Sequence, residues 1–552
     1  MLSLPTKINV MHKFIFILSV LIACSIRINA TDIPNKQDKY EIRATWLTTI
    51  GGLDWPKTKA TSPSSIKRQK DELCRQLDIL KEAKFNTVIF QTRLRGDLVY
   101  PSRYETFAEA LAGKTGKDPG YDVLDFAIKE CHKRGMELHA WIVTIPIGNK
   151  RQVELLGKHS VVRKRPDLCK QFNGGWYLDP GNPGTADYLS AIVREIVEKY
   201  DVDGIHLDYI RYPERGEKFP DQNTFRKYGK KKTLEEWRRD NITYIVRRIY
   251  NDVKALKPWV KVSSSPVGKY RDTRRYSSRG WNAYMTVYQD AQAWLREGIQ
   301  DAIFPMMYFK GNHFYPFALD WQENKGERWV VPGLGVYFLN PDEGNWPIDE
   351  VLRQIYFSRK NNLDGQAYFR NKFLIDNIKG LLDNIKMEFY NFNAVIPPMV
   401  WQDSIAPKSP GSLSLKKTGR NSSSDNGGRN GLKNNTTRDG CDSSEGIFDN
   451  TSKYTGADFI GNIDYNLVLE WDTLGTYKKG GVYFRIYGDN KYPVDTSKAE
   501  NIVCPRVDGN SWVYSPQFPW EEKLFWSITT VDRYGNESTP VSAGILNFRE
   551  KK

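Results

Sequence analysis

Residues 204–210 read GIHLDYI, and Arg211 follows. Three residue types there could do chemistry. The Asp208 carboxylate can act as nucleophile, general base or ion-pair partner. The His206 imidazole can donate, accept or ligate, and the Arg211 guanidinium can bind an anion. Around them Val202, Ile205, Leu207 and Ile210 are strand formers. Side chains alternate along a strand, so Ile205, Leu207 and Tyr209 would share the packing face. His206 and Asp208 would share the opposite, inner face. A buried carboxylate is costly unless it is paired or used. Arg93, Arg211 and Arg271 are the available structural partners; the other reading of Asp208 is catalysis.

Further strand-like segments end in similar groups. QTRLRGDLVYPS (91–102) supplies Gln91, Arg93, Asp97 and Tyr100, and HAWI supplies His139 and Trp141. PVGKYRD supplies Tyr270 and Asp272, and MMYF supplies Tyr308. Aromatic rings with a few polar groups suit a sugar, whose apolar face stacks while its hydroxyls hydrogen-bond. Glycoside hydrolysis needs two carboxyl groups. Asp208 is the expected nucleophile or base. Asp272 is the first choice for the general acid, with Asp97 and Glu214 behind it. An acid needs a raised pKa and hence apolar walls, which Tyr270 and Trp141 would provide. The expected binding set is Gln91, Arg93, Asp97, His139, Trp141, His206, Arg211, Tyr270 and Tyr308, with the two histidines bonding sugar hydroxyls or orienting Asp208. GxSxG, HExxH and CxxC motifs do not occur, and PVGKYRD is too poor in glycine for a phosphate loop. No cofactor is expected. His139, His206 and Asp208 come from neighbouring strands, so a metal-dependent hydrolase is one alternative.

The elements that must position these residues recur from Glu41 to about Met387. Short apolar strands alternate with amphipathic helices: 41–50, 87–93, 137–144, 204–210, 261–268, 302–309, 329–339 and 365–370. The clearest helix runs from Leu234 to Leu256, with Ile242, Ile245, Ile249 and Val253 along one stripe. Eight strand–helix units predict an α/β fold, a (β/α)8 TIM barrel spanning 40–392, whose active site lies where the strands run out. A second region, 393–549, opens on the proline-rich VIPPMVWQDSIAPKSPGSLSL and continues with strands such as YNLVLEWD, GGVYFRIYGD and WSITTVDRYGNES. It reads as an all-β, immunoglobulin-like sandwich of the fibronectin type III kind, interrupted by a disordered polar insertion around 418–446, and is expected to dock or space the barrel. Cys74 and Cys131 fall in helical patterns as core residues, and Cys441 and Cys504 could pair.

The chain has 552 residues, 40% hydrophobic and 27% charged, with a net charge of +15. That length implies more than one domain. The basic balance suits an acidic polymer, an anionic surface or solubility. With no arginine-rich arm or RNA-binding signature, no nucleic-acid partner is expected. MHKFIFILSVLIACSIRINATD, near the start, reads as an export signal within residues 1–30. LIAC would make Cys24 a lipidated residue anchored to a membrane, whereas INA before Thr31 would be an ordinary cleavage site. Either predicts export to a bacterial periplasm, outer membrane or medium.

EIRATWLTTIGGLDWP, FQTRLRGDLVYPS, WYLDPGNP, YDVDGIHLDYIRYP and QDAQAWLREGIQDAIFPMMYF, in that order, resemble the bacterial glycosyl hydrolase-like family 10 over residues 40–390. The resemblance implies a TIM barrel and cleavage of envelope glycan, notably peptidoglycan strands stripped of their stem peptides. The family pattern often carries a second acid after Asp208, where this chain has Tyr209. A barrel that binds glycan without cleaving it is therefore the other alternative. In the exported setting, Arg93, Arg95 and Arg211 would either meet the carboxylate of muramic acid or balance Asp97 and Asp208.

Overall fold

A computed structural model describes residues 39–214, 218–419, 465–473, 475, 478–516 and 521–544. The expected export signal, Cys24, Cys441 and all but the first two residues of the 418–446 insertion lie outside the described residues.

All eight predicted strands are present; the second matches its predicted span and the others are shorter than their apolar runs. They are β1 (Ile42–Leu47), β2 (Thr87–Arg93), β3 (Glu137–Val143), β4 (Gly204–Asp208), β5 (Lys261–Ser264) and β6 (Ala302–Ile303). The seventh, β7, is Trp329–Val330 continued by Gly333–Leu334, and β8 is Gly365–Tyr368. Each pairs in parallel with the next, and β8 pairs back onto β1 through Ile42 and Gly365, so the sheet closes into a barrel. Closure requires glycine at 365: its φ is +147°, and a Cβ there would lie 1.9 Å from the Ile42 carbonyl oxygen.

Helices cross over outside the strands, among them α1 (Pro63–Glu82), α2 (Val123–Lys133), α3 (Pro183–Lys199) and α4 (Leu234–Leu256). The last has both predicted ends. Thr233 accepts from the Glu236 amide and Glu236 reaches back to the Thr233 amide, closing a capping box. Cys74 and Cys131 are buried on α1 and α2, within the layer between strands and helices. Ile205 and Leu207 face that layer too, whereas His206 points inward against Trp46 and Phe304.

The C-terminal region forms two antiparallel sheets, β9 (Leu413–Gly419), β10 (Tyr465–Trp471) and β13 (Ser511–Tyr514) against β11 (Val482–Asp489), β12 (Ile502–Val507), β14 (Phe525–Asp532) and β15 (Val541–Gly544). Leu469, Trp471, Ile486, Trp526 and Ile528 fill the space between them, giving a β-sandwich of three plus four strands.

This sandwich closes the floor of the barrel, at the strands' N-terminal ends. Met399 is fully buried among the inward-facing barrel residues, and Trp401 and Tyr534 pack on the same cluster. Trp401 lies edge-on to Trp329 and donates to Asp301 at 2.9 Å. Asp203, just before β4, contacts His132 at 2.6 Å and Arg533 of the sandwich at 3.3 Å.

Candidate active site

β4 ends at Asp208, 5% exposed, and three donors converge on its carboxylate. The Trp141 indole N–H reaches Oδ2 at 3.0 Å, while Ser265 Oγ and the Tyr209 amide reach Oδ1 at 2.9 and 2.7 Å. The Asp208 carbonyl accepts from the Thr144 amide at 2.9 Å and its hydroxyl at 2.8 Å. Burial pushes the Asp208 pKa upward. Ser265, the Tyr209 amide, Arg211 and Trp141 offset part of that rise.

Tyr209 departs from the expected alternation. Its φ is +51°, a left-handed conformation rare for a bulky residue and concentrated at functional sites. The twist aims its amide at Asp208 and brings its ring to the mouth of the site instead of the helical layer. Arg211 stacks beneath that ring at 4.9 Å.

Asp208 opens into a cavity of about 430 Å³. Trp46, Trp141, Tyr308 and Phe369 wall it with aromatic surface, the last two stacked at 5.4 Å. Arg95, Arg370 and Glu343 are its charged members besides Asp208. Arg370 is held by Asp54 at 2.8 Å, and Asp54 is fixed by the Thr48 amide and hydroxyl at 2.8 and 2.7 Å. Gln91 accepts the Thr49 and Ile50 amides at 2.9 Å, tying β2 to the turn after β1.

Of the residues singled out in the sequence, Gln91, Trp141, Asp208 and Tyr308 line this cavity, and Arg95 stands in its wall. Asp272 does not. It lies on the loop after β5, where its carboxylate accepts from the Ser278 amide at 2.7 Å and is drawn below the ordinary range by the Ser278 hydroxyl and amide. Glu214 is exposed and also outside. Arg93 is outside the lining: the register slips after Gln91, and Arg93 is fully buried against Glu105 at 2.6 Å, which also accepts from Tyr188 of α3 at 2.9 Å. His139 sits low in the barrel, 3.0 Å from Glu137. His206 accepts from Trp46 at 3.2 Å, one layer below Asp208. Tyr270 is buried and donates to Asp290 at 2.6 Å. Arg211 lies behind Tyr209, not in the lining. Asp97, whose carboxyl burial pushes up to about 6, lines an adjoining cavity.

The sequence reading missed Trp46, Ser265, Glu343 and Arg370. Glu343 had a signal: LNPDEGNWP (339–347) is an acidic turn in the excursion that follows the seventh strand. Among the described residues no three His, Cys, Asp or Glu side chains are placed to hold a metal ion.

Residues 41–333 match the family described as Glycosyl hydrolase-like 10. The chain is 34% identical over 414 residues to glycosyl hydrolase YngK of Bacillus subtilis, covering 72% of this chain and 80% of that protein. It is 32% identical over 293 residues to glycosyl hydrolase DigH of Escherichia coli K12, covering 50% of this chain and 67% of that one.

Proposed function

Because this chain belongs to the glycosyl hydrolase-like 10 family and is a glycoside hydrolase, we propose that it is exported and cleaves bacterial envelope glycan, specifically peptidoglycan strands lacking stem peptides, through two carboxyl groups. The observation that carries this reading is Asp208: a carboxylate at the end of β4, steadied by three donors, at the base of an aromatic-walled cavity. Aromatic walls stack sugar rings, and the steadied carboxylate attacks the anomeric carbon or activates water. Glu343 replaces Asp272 as the proposed general acid, because it is the other carboxyl of this lining. In that role it protonates the departing sugar oxygen as the glycosidic bond breaks.

The net charge of +15 favours approach to an anionic polymer. The hydrophobic run Phe14–Cys24 supports export, with Cys24 as a lipid attachment point. The three-plus-four strand arrangement supports a fibronectin type III-like module. Incubation with purified glycan strands, with and without stem peptides, followed by mass analysis, tests the proposal. Release of saccharides from the peptide-free strands is expected, with Asp208→Asn lowering the rate about 10³-fold or more while its circular dichroism is unchanged. Normal turnover by that variant would remove Asp208 from the mechanism, and cleavage of neither strand type would refute the substrate.

A further inference from the structure

The cavity that holds Asp208 does not end at the barrel rim. A second cavity of about 440 Å³ adjoins it. The two share Ile50, Leu94 and Arg95 in their linings, so together they form one trough with Arg95 in the common wall. The far part is lined by the turn after β1 and by the excursions that follow β2 and β3, among them Lys59, Asp97, Thr115 and the exposed Leu155. That is room for a further sugar unit beside the one at Asp208.

The charged groups of the trough differ in what they are already doing. Lys59 donates to the Ala110 carbonyl at 2.8 Å, with Glu109 as a nearby counter-charge. Asp97 accepts the Arg95 amide at 3.1 Å. Arg370 is bound to Asp54, and Arg93, nearby in sequence but in neither lining, is bound to Glu105. The Arg95 guanidinium alone, among the arginines of these two linings, has no hydrogen bond or ion pair to any described residue. It is half-buried and faces both cavities. A planar five-donor fork held between two sugar-sized spaces matches a carboxylate carried on a sugar ring.

We propose that Arg95 recognises a carboxylate on the saccharide unit bound next to Asp208, and that the second cavity holds the following unit. The trough therefore selects an anionic glycan at least two units long. The inference rests on the glycosidase reading of Asp208 and adds to it the residue that sets substrate charge. The carboxylate could be the lactyl ether of a muramic acid or a uronic acid; the chemistry at Arg95 is the same.

Calorimetric binding to the full chain carrying Asp208→Asn tests this without turnover. The ligands are a peptide-free tetrasaccharide of the cell-wall repeat, its carboxyl-reduced counterpart and a uronate tetrasaccharide. The carboxylated wall fragment is expected to bind about 10- to 100-fold more tightly than the reduced one. Adding Arg95→Gln should bring it to the level of the reduced fragment while leaving the reduced fragment's affinity unchanged. Adding Thr115→Trp instead, which fills the second cavity, should weaken the wall tetrasaccharide and spare the peptide-free wall disaccharide, titrated as a fourth ligand. Equal binding of the uronate shows that any ring carboxylate suffices; weaker binding assigns the lactyl group. Arg95→Gln weakening both wall fragments alike, or neither, overturns the role of Arg95 while hydrolysis by the parent enzyme still supports Asp208. If no saccharide binds and the parent enzyme cleaves none, both readings fall together.

Discussion

Trp46 on β1 donates its indole N–H to Nε2 of His206 on β4, 3.2 Å across the barrel interior. Since Nε2 accepts, the ring proton resides on Nδ1, which lies 3.0 Å from Ser263 Oγ. Burial, reinforced by His139, holds the His206 pKa well below its ordinary value, so the imidazole is a neutral strut one layer beneath Asp208.

His206→Ala should leave the Trp46 N–H unpaired and open a void, costing about 2–4 kcal/mol of stability in chemical denaturation. The pH profile of the surviving activity should keep its shape, because His206 is not the titrating group. Loss of a limb near pH 6 would show that it is.

Ser265→Ala should move the acidic limb of the activity profile to higher pH. The Ser265 hydroxyl bonds the ionised form of Asp208 at 2.9 Å and opposes the upward push of burial. Removing a bond to a charged group is worth about 1.5–3 kcal/mol, or roughly one to two pH units. An unmoved limb would mean that another group governs it.

Glu343→Gln should slow hydrolysis of natural glycans by about 10²-fold or more, and spare aryl glycosides whose leaving groups need no proton. Asp272→Asn, on its outer loop, should change either rate by no more than about twofold. The opposite ranking would restore Asp272 as the acid.

Glu537 predicts a pH-dependent part of the stability. Burial alone would raise its pKa, but Arg485 and Lys39 outweigh burial and hold it at about 2, against 4.5 ordinarily. A depressed carboxyl stabilises the fold fully above its unfolded value and loses that contribution as pH falls from 4.5 towards 2. The whole contribution is about 3 kcal/mol. Between pH 7 and pH 3 the parent chain should therefore lose about 2 kcal/mol more than Glu537→Gln, as denaturant titrations at the two pH values would register.

The barrel was legible because each strand is an apolar run followed by an amphipathic helix, and because Thr233 caps the longest one. Asp208 and Trp141 were legible for a related reason: strand parity tells which residues point inward. Parity does not tell height. His139 and His206 each precede a lining residue by two positions, about 7 Å lower along the strand, and so fall in the packed layer below the cavity. Parity also does not follow loops. Asp272 lies only eight residues beyond β5, yet the chain turns it back onto Ser278. Glu343 rides on a loop whose path local sequence does not encode. For Arg93 the sequence offers a glycan carboxylate, Asp208 or Asp97 as partner, but not Glu105, which lies twelve residues further along the chain, past a reversal.

The closed floor bears on how this protein could be rebuilt or recombined. Met399 and Trp401 belong by sequence to the linker but by packing to the barrel, and Arg506 and Arg533 of the sandwich serve Asp203 at the foot of β4. A cut at Ile396 would unseal the barrel and strand a buried carboxylate with fewer counter-charges. The sandwich is thus a base plate rather than a tether. A chimera that grafts this catalytic end onto another carrier must take the linker through Trp401 with it and supply two cations where Arg506 and Arg533 stood.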